Sequence, residues 1–214
     1  MKSIKDQVDE LHVAMAQQVP AEAMAIFSAD VARFDAMDVP AGVLTVGTTV
    51  PNATVLDAEG NEVSFHSLLT HDQNVLIIYR GAWCPYCNLT LRAYQNDLVP
   101  ALAERNVNLL AVSPQKPEGL QAMKGSHDLS FGVYSDVTAE LIDAFGIWTT
   151  PSDEVAALQA DFGMGVPESN VDGTIREPMP TTAILDRNGV VTFIEVHPNF
   201  TTRTEVPEIL EALN

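Results

Sequence analysis

The chain has 214 residues, 46% of them hydrophobic and 19% charged. A chain of that length buries about 70% of the surface its unfolded state exposes, so it builds a core without disulfides or structural metal. Eleven Lys and Arg against 29 Asp and Glu give a formal charge of −18, which repels phosphate backbones and anionic headgroups and argues against nucleic acid or an acidic membrane as partner.

Charges alternate through residues 1–10 where an export signal needs an apolar stretch, and no run of 18 apolar residues is present to span a bilayer. A cytoplasmic address with reduced thiols is therefore expected. From residue 2 to 18, Ile4, Val8, Leu11, Ala14 and Met15 recur at steps of three and four, predicting a helix with one apolar face that Pro20 ends. A second helix is expected from Ala21 to about Met37, with Met24, Phe27, Val31 and Phe34 as its stripe. Together they form a helical hairpin, an arm that packs on the rest of the chain or on a second copy in a homodimer.

After Gly47 the texture changes to short β-rich runs. Residues 53–57 and 62–65 flank a turn and read as a hairpin. Residues 74–79 are a continuous apolar run suited to a strand covered on both faces, and a helical pattern follows from Pro85 to about Arg105, which Pro100 is expected to kink. Strand, helix, strand and helix then alternate over 107–113, 117–126, 131–135 and 139–145, predicting a parallel α/β core with right-handed crossovers. Residues 148–180, richer in Pro, Gly and acidic side chains, read as an insertion with one helical stretch near 152–161. A hairpin over 181–186 and 190–196 and a helix over 205–213 close the chain.

The chemistry concentrates in Tyr79-Arg80-Gly81-Ala82-Trp83-Cys84-Pro85-Tyr86-Cys87, where a buried strand, a short loop and a helix start meet. Pro85 lacks an amide hydrogen and suits the first helical turn, so Cys84 falls at the cap, facing free N–H groups and the positive end of the helix dipole. Such a position lowers a thiol pKa from about 8.5 to between roughly 3.5 and 7.5, which makes Cys84 the expected nucleophile. Cys87, one turn on, lies within reach of a mixed disulfide or sulfenic acid formed on Cys84. Cys-x-x-Cys is also half of a tetrahedral zinc site, but no second pair and no suitably spaced histidines complete it, so neither metal nor cofactor is expected. Trp83 and Tyr86 flank the cysteines as a substrate-binding lip or as packing. Arg80 either stabilises a thiolate or pairs with a carboxylate, and His197 and Arg203 are candidates to approach the sulfurs from the loop after the last strand.

These residues, with the hairpin before them, Ala111-Val-Ser-Pro-Gln115, Tyr134-Ser-Asp-Val and Ala144-Phe-Gly146, resemble the peroxiredoxin-like branch of the alkyl hydroperoxide reductase and thiol-specific antioxidant (AhpC/TSA) family, over about Val46 to Leu213. The resemblance implies an α/β, thioredoxin-like sandwich over residues 46–214 that carries residues 1–45 as a helical extension. It implies that Cys84 attacks a peroxide and becomes a sulfenic acid, that Cys87 resolves it to a disulfide, and that a thioredoxin-like or small-thiol reductant regenerates the pair. It further implies a cis peptide bond before Pro180, facing the Cys-x-x-Cys. The sequence departs from typical members at Ile77 and Gly81, where they carry Pro and Thr or Ser, and over 179–182, where they carry an arginine for which Arg80 or Arg176 is the candidate substitute. Disulfide exchange needs none of these residues. A thiol-disulfide oxidoreductase acting on protein or small-molecule disulfides therefore stands beside the peroxidase reading, and a non-catalytic interaction protein using the arm is the competing class.

Overall fold

Ser3 accepts the Asp6 N–H and caps α1, Ile4–Gln18, and Pro20 precedes α2, Ala21–Asp35, in the computed structural model, which describes residues 2–214. The predicted hairpin forms as β1, Thr54–Leu56, and β2, Glu62–Ser64, paired antiparallel with Val55 opposite Val63. The apolar run becomes β3, Gln73–Ile78, buried at all but its first residue.

The long helical pattern is realised in three pieces: α3, Pro85–Ala93, a π-helical turn over Tyr94–Leu98, and α4, Val99–Glu104. Pro100 offers no amide hydrogen and its ring crowds the carbonyl one turn back. The Val99 N–H accordingly reaches five residues back to the Tyr94 carbonyl, and the irregularity sits in the turn before the proline instead of at it. Next come β4, Asn108–Ser113, α5, Pro117–His127, β5, Gly132–Ser135, and α6, Glu140–Phe145. The insertion contains β6, Trp148–Thr149, α7, Asp153–Asp161, α8, Val166–Ser169, and β7, Glu177–Pro178. The chain ends in β8, Thr181–Asp186, β9, Val191–Val196, and α9, Val206–Ala212.

Seven strands form one sheet in the order β2-β1-β5-β4-β3-β8-β9. β3, β4 and β5 are parallel, whereas β8 runs antiparallel to β3, β9 to β8 and β1 to β5. The sheet is thus mixed, because only the two connections that carry helices cross over and hairpins supply both flanks. β3 alternates between two cores: Val75 and Ile77 face the layer containing both cysteines, and Leu76 and Ile78 face the layer containing Ile142 and Phe145.

The arm packs on its own chain. Ile4, Val8 and Phe34 are buried in the same core as Cys84 and Cys87, and α1 lies against α3. The N–H groups of Ile4 and Lys5 both donate to the Glu205 carboxylate at 2.8 Å, which ties the start of α1 to the start of α9. Among the described residues no helix is long and apolar enough to cross a membrane.

Candidate active site

Tyr79 extends β3 by one residue, its N–H bonded to the Val112 carbonyl at 3.0 Å, and the next four residues turn the chain into α3. Gly81 is required in that turn. A Cβ there would lie 2.5 Å from Trp83 Nε1 and 2.9 Å from Gln115 Cδ, closer than packing allows. Gln115, buried after β4, accepts the Ala82 N–H at 2.7 Å and fixes the turn.

Cys84 occupies the predicted N-cap with Pro85 in the first turn. Its carbonyl accepts the Cys87 and Asn88 N–H groups at 3.1 Å each, but its side chain makes no cap hydrogen bond. Both sulfurs are buried, at 0% and 1% exposure, and both are free thiols.

Two guanidinium groups address them separately. Arg80, itself buried, donates from Nη1 to Cys84 Sγ at 3.6 Å and from Nε to Glu177 Oε2 at 3.1 Å, with Nη2 paired to the same carboxylate oxygen. Its Cζ lies over the Trp83 and Phe200 rings, 4.8 and 4.2 Å from their centroids. The other Glu177 oxygen accepts from Gln159 Nε2 at 2.7 Å, so β7 and α7 of the insertion hold Arg80 in place. Arg203 reaches Cys87 Sγ from Nη2 at 3.4 Å, while its Nη1 donates to the carbonyls of Phe200 and Thr202 at 2.6 Å each.

The expected lowering of the Cys84 pKa is overturned. Burial pushes the Cys84 thiol well above its ordinary value, the hydrogen bond and charge of Cys87 add to that, and the two arginines take back only part. For Cys87 burial also opposes charge, but the Cys84 hydrogen bond, Arg203, Arg80 and the Arg80 backbone N–H outweigh it and bring the thiol down to about 5. The cap position does not decide the matter, because its N–H groups bond the Cys84 carbonyl and leave the sulfur to the side chains around it. Arg80 is raised above its ordinary value: burial alone would lower it, but Glu177 and the two sulfurs favour its charge.

The bond before Pro180 is also corrected, since no described peptide bond is cis and Met179–Pro180 is trans. The backbone edge expected to face a substrate is already engaged. The Met179 N–H bonds Ile147 O at 2.8 Å and Pro180 O accepts the His197 N–H at 2.9 Å. Pro180 nevertheless stands across a small cavity from Cys87, with Tyr79, Thr182, His197 and Arg203. Tyr86 does not form an outward lip: it is buried beneath α1, its hydroxyl 2.9 Å from His12 Nε2. Trp83 is half-buried and packs on Arg80. Arg176 stays away from the sulfurs, paired with Asp172 at 2.7 Å and stacked on Trp148. His197 and Arg203 do reach the site; Glu177, Gln159, Gln115, Phe200 and His12 join them without having been anticipated. Nothing local marked Glu177 among the 29 acidic residues.

Residues 46–194 match the AhpC/TSA family model. The chain belongs to the AhpC/TSA family. As a member it is a thiol-dependent oxidoreductase of peroxiredoxin-like type. Among known proteins, it is 23% identical over 172 residues to the thiol-disulfide oxidoreductase ResA of Geobacillus thermodenitrificans, covering 79% of each chain. It is 29% identical over 105 residues to the putative peroxiredoxin Rv2521 of Mycobacterium tuberculosis, covering 49% of this chain and 66% of that one. Its fold is similar to that of reduced Prx3 of Vibrio vulnificus in complex with hydrogen peroxide, with TM-score 0.64, 22% identity, and 80% of this chain and 100% of that chain covered. Peroxidoxin BcpB of Mycobacterium tuberculosis gives TM-score 0.60 at 17% identity, with 79% and 94% covered. These structures share the chain's α/β fold.

Proposed function

We propose that this AhpC/TSA member is a cytoplasmic peroxidase in which the Cys84–Cys87 dithiol reduces a hydroperoxide and is regenerated by a thioredoxin-like dithiol or a small thiol. The observation that carries the reading is the pair of buried sulfurs with one guanidinium on each, 3.6 and 3.4 Å away. A thiolate sulfur attacks one peroxide oxygen, the S–O bond forms as the O–O bond breaks, and the sulfur loses the two electrons that the peroxide gains. The departing oxygen takes up a proton and leaves as alcohol or water. The second thiol then attacks the sulfenic sulfur, an S–S bond forms, and hydroxide leaves as water with that thiol's proton. The external dithiol reverses the S–S bond by exchange.

A second reading, thiol-disulfide exchange on protein or small-molecule disulfides, is favoured by the similarity to ResA and by the Cys-x-x-Cys at a helix start. Burial of both sulfurs favours the peroxidase, since a small peroxide needs far less room than a polypeptide disulfide. Rapid-mixing oxidation of the reduced protein by hydrogen peroxide, an organic hydroperoxide and a small disulfide ranks the two. Peroxides are expected to react at least tenfold faster, and the opposite order replaces the peroxidase with the exchange reading.

A further inference from the structure

The three charged side chains nearest the sulfurs do not balance in pairs. Arg80 and Glu177, at 5% and 1% exposure, neutralise each other, and the second Glu177 oxygen is taken by Gln159. Arg203 has no such partner: among the described residues it forms no ion pair with a carboxylate, and its other hydrogen bonds go to two backbone carbonyls. A half-buried guanidinium without a counterion is poorly solvated, and the sulfur it faces at 3.4 Å is that of Cys87. Cys84 meets the guanidinium whose charge is already compensated.

We propose that Cys87, not Cys84, is the resident thiolate and the sulfur that attacks first, with Arg203 as its counterion, and that Cys84 is the resolving thiol. The assignment deepens the peroxidase reading and rests on it for the identity of the electrophile. The proton of the pair stays on Cys84, which donates it toward Cys87, and the Arg80 backbone N–H supports the same charge. Tyr79, Tyr86, Tyr94, His197, Arg80 and Arg203 are titratable groups around the two sulfurs, with Glu177 behind Arg80 and Glu195, Glu205 and Glu208 lining the cleft on the far side of Arg203. Of the first six, burial keeps the three tyrosines protonated and, with Arg203, holds His197 down to about 4, which leaves the two arginines as the charged ones at neutral pH.

Access supports the same sulfur. The cavity at Cys87 measures about 10 Å³, near the lower limit for one water. His197 and Arg203 line it, and both also line a cleft of about 370 Å³ between α1 and the 197–205 loop. Arg203 therefore stands where a peroxide entering from that cleft meets Cys87, with its Nη2, which faces Cys87 Sγ, beside the oxygen that leaves as the O–O bond breaks.

The test uses the full chain with Cys84→Ser and Cys87→Ser, each checked for native folding by near-ultraviolet circular dichroism. Thiolate absorbance near 240 nm is followed as the pH falls from 8 to 4, a readout that needs no reagent to reach the buried sulfurs. The Cys84→Ser protein is expected to retain the absorbance at pH 7 and to lose it below the ordinary thiol range, and the Cys87→Ser protein to lack it at pH 7. Arg203→Met in the Cys84→Ser background should move the midpoint up by more than one pH unit and slow iodoacetamide labelling at pH 6 at least tenfold, with Arg203→Lys restoring part of both. Thiolate absorbance at pH 7 in Cys87→Ser, equal to or above that in Cys84→Ser, overturns the assignment. If either variant misfolds, peptide mapping of the wild-type protein after limited iodoacetamide labelling at pH 6 decides: label on Cys87 supports the proposal, label on Cys84 overturns it. Peroxide then separates the two claims. A Cys87 thiolate that forms no trappable sulfenic acid with any peroxide keeps the assignment and removes the peroxidase.

Discussion

Replacing Glu177 with Gln removes one charge from a buried ion pair and leaves its shape. Arg80 and Glu177 are 5% and 1% exposed, so neither charge regains water when the other is lost. Breaking such a pair from one side typically costs about 3–5 kcal/mol, most of it the penalty of the stranded ion. In a domain of this size 1 kcal/mol corresponds to roughly 2–4 °C in Tm, so E177Q should melt about 6–20 °C below the parent under reducing conditions. The loss should be smaller at pH 8.5 than at pH 6, because the released guanidinium is 3.6 Å from Cys84 and can take a thiolate there as its new counterion. Alkylation of Cys84 should quicken in parallel. Urea denaturation at both pH values, with the slope m compared between variants, gives the free energies. The double variant Arg80→Met/Glu177→Leu, with no charge left in the pair, should recover most of the stability and none of the Cys84 reactivity. A loss below about 1 kcal/mol in E177Q, or a double variant no more stable than the single ones, would refute the view that Arg80 is held as a desolvated ion by Glu177.

Glu205→Ala removes the carboxylate that receives the Ile4 and Lys5 N–H groups. A loss of about 1–2 kcal/mol is expected, as for other helix caps, together with faster reaction of the cysteines with a bulky aromatic disulfide as α1 lifts; unchanged labelling would show that the start of α1 does not control access. His197 is held down to about 4 by burial and Arg203, against an unfolded value near 6.5. The folded state therefore binds fewer protons, and this group's contribution is intact above about pH 6.5 and is lost as pH falls through 4, amounting to about 3 kcal/mol. A His197→Gln protein should lack that part of the acid dependence in Tm measured from pH 7 to pH 4.5. Oxidation to the disulfide removes the anion facing Arg203, so the oxidised protein should melt below the reduced one, the reverse of a structural disulfide; calorimetry with and without dithiol checks the sign.

The elements were legible because local patterns match the environments they meet. Val75 and Ile77 against Leu76 and Ile78 are apolar on both faces since β3 is central, and Ser3 with Asp6, or Pro85 after Cys84, mark helix starts through bonds that span a few residues. The arrangement of the sheet was only half legible: residues 181–196 read as a hairpin, but their pairing with β3 joins residues more than a hundred positions apart. The cysteines and Arg80 were legible as chemistry for the same local reason. Which sulfur carries the charge was not, because it is decided by Arg203, 116 positions from Cys87, and by Glu177, 97 positions from Arg80. Helix-start logic assigns charge to the cap residue, and it fails where the cap sulfur bonds no amide and the sulfur one turn on meets an unpaired guanidinium. The trans bond at Pro180 was equally out of reach, since β6 pairs with β7 and β9 continues along Pro180, occupying the edge that a substrate chain would use.

Charge counting connects the site to the rest of the molecule. In the reduced state the charged groups that touch the sulfurs or pair with those that do sum to zero: Arg80 and Arg203 are positive, Glu177 and the proposed Cys87 thiolate negative. Attack on a neutral peroxide consumes the thiolate and creates an oxyanion next to Arg203 in the same step, so the balance holds while the bond breaks and fails only once the alcohol or water has left. The sulfenic acid and the disulfide then leave the half-buried Arg203 without the anion it faced at 3.4 Å, beside a cleft that Glu195, Glu205 and Glu208 also line. That imbalance favours whatever restores an anion or water to Arg203. Return of electrons from a dithiol does so by regenerating the thiolate, and solvation through the cleft between α1 and the 197–205 loop does so before the electrons arrive.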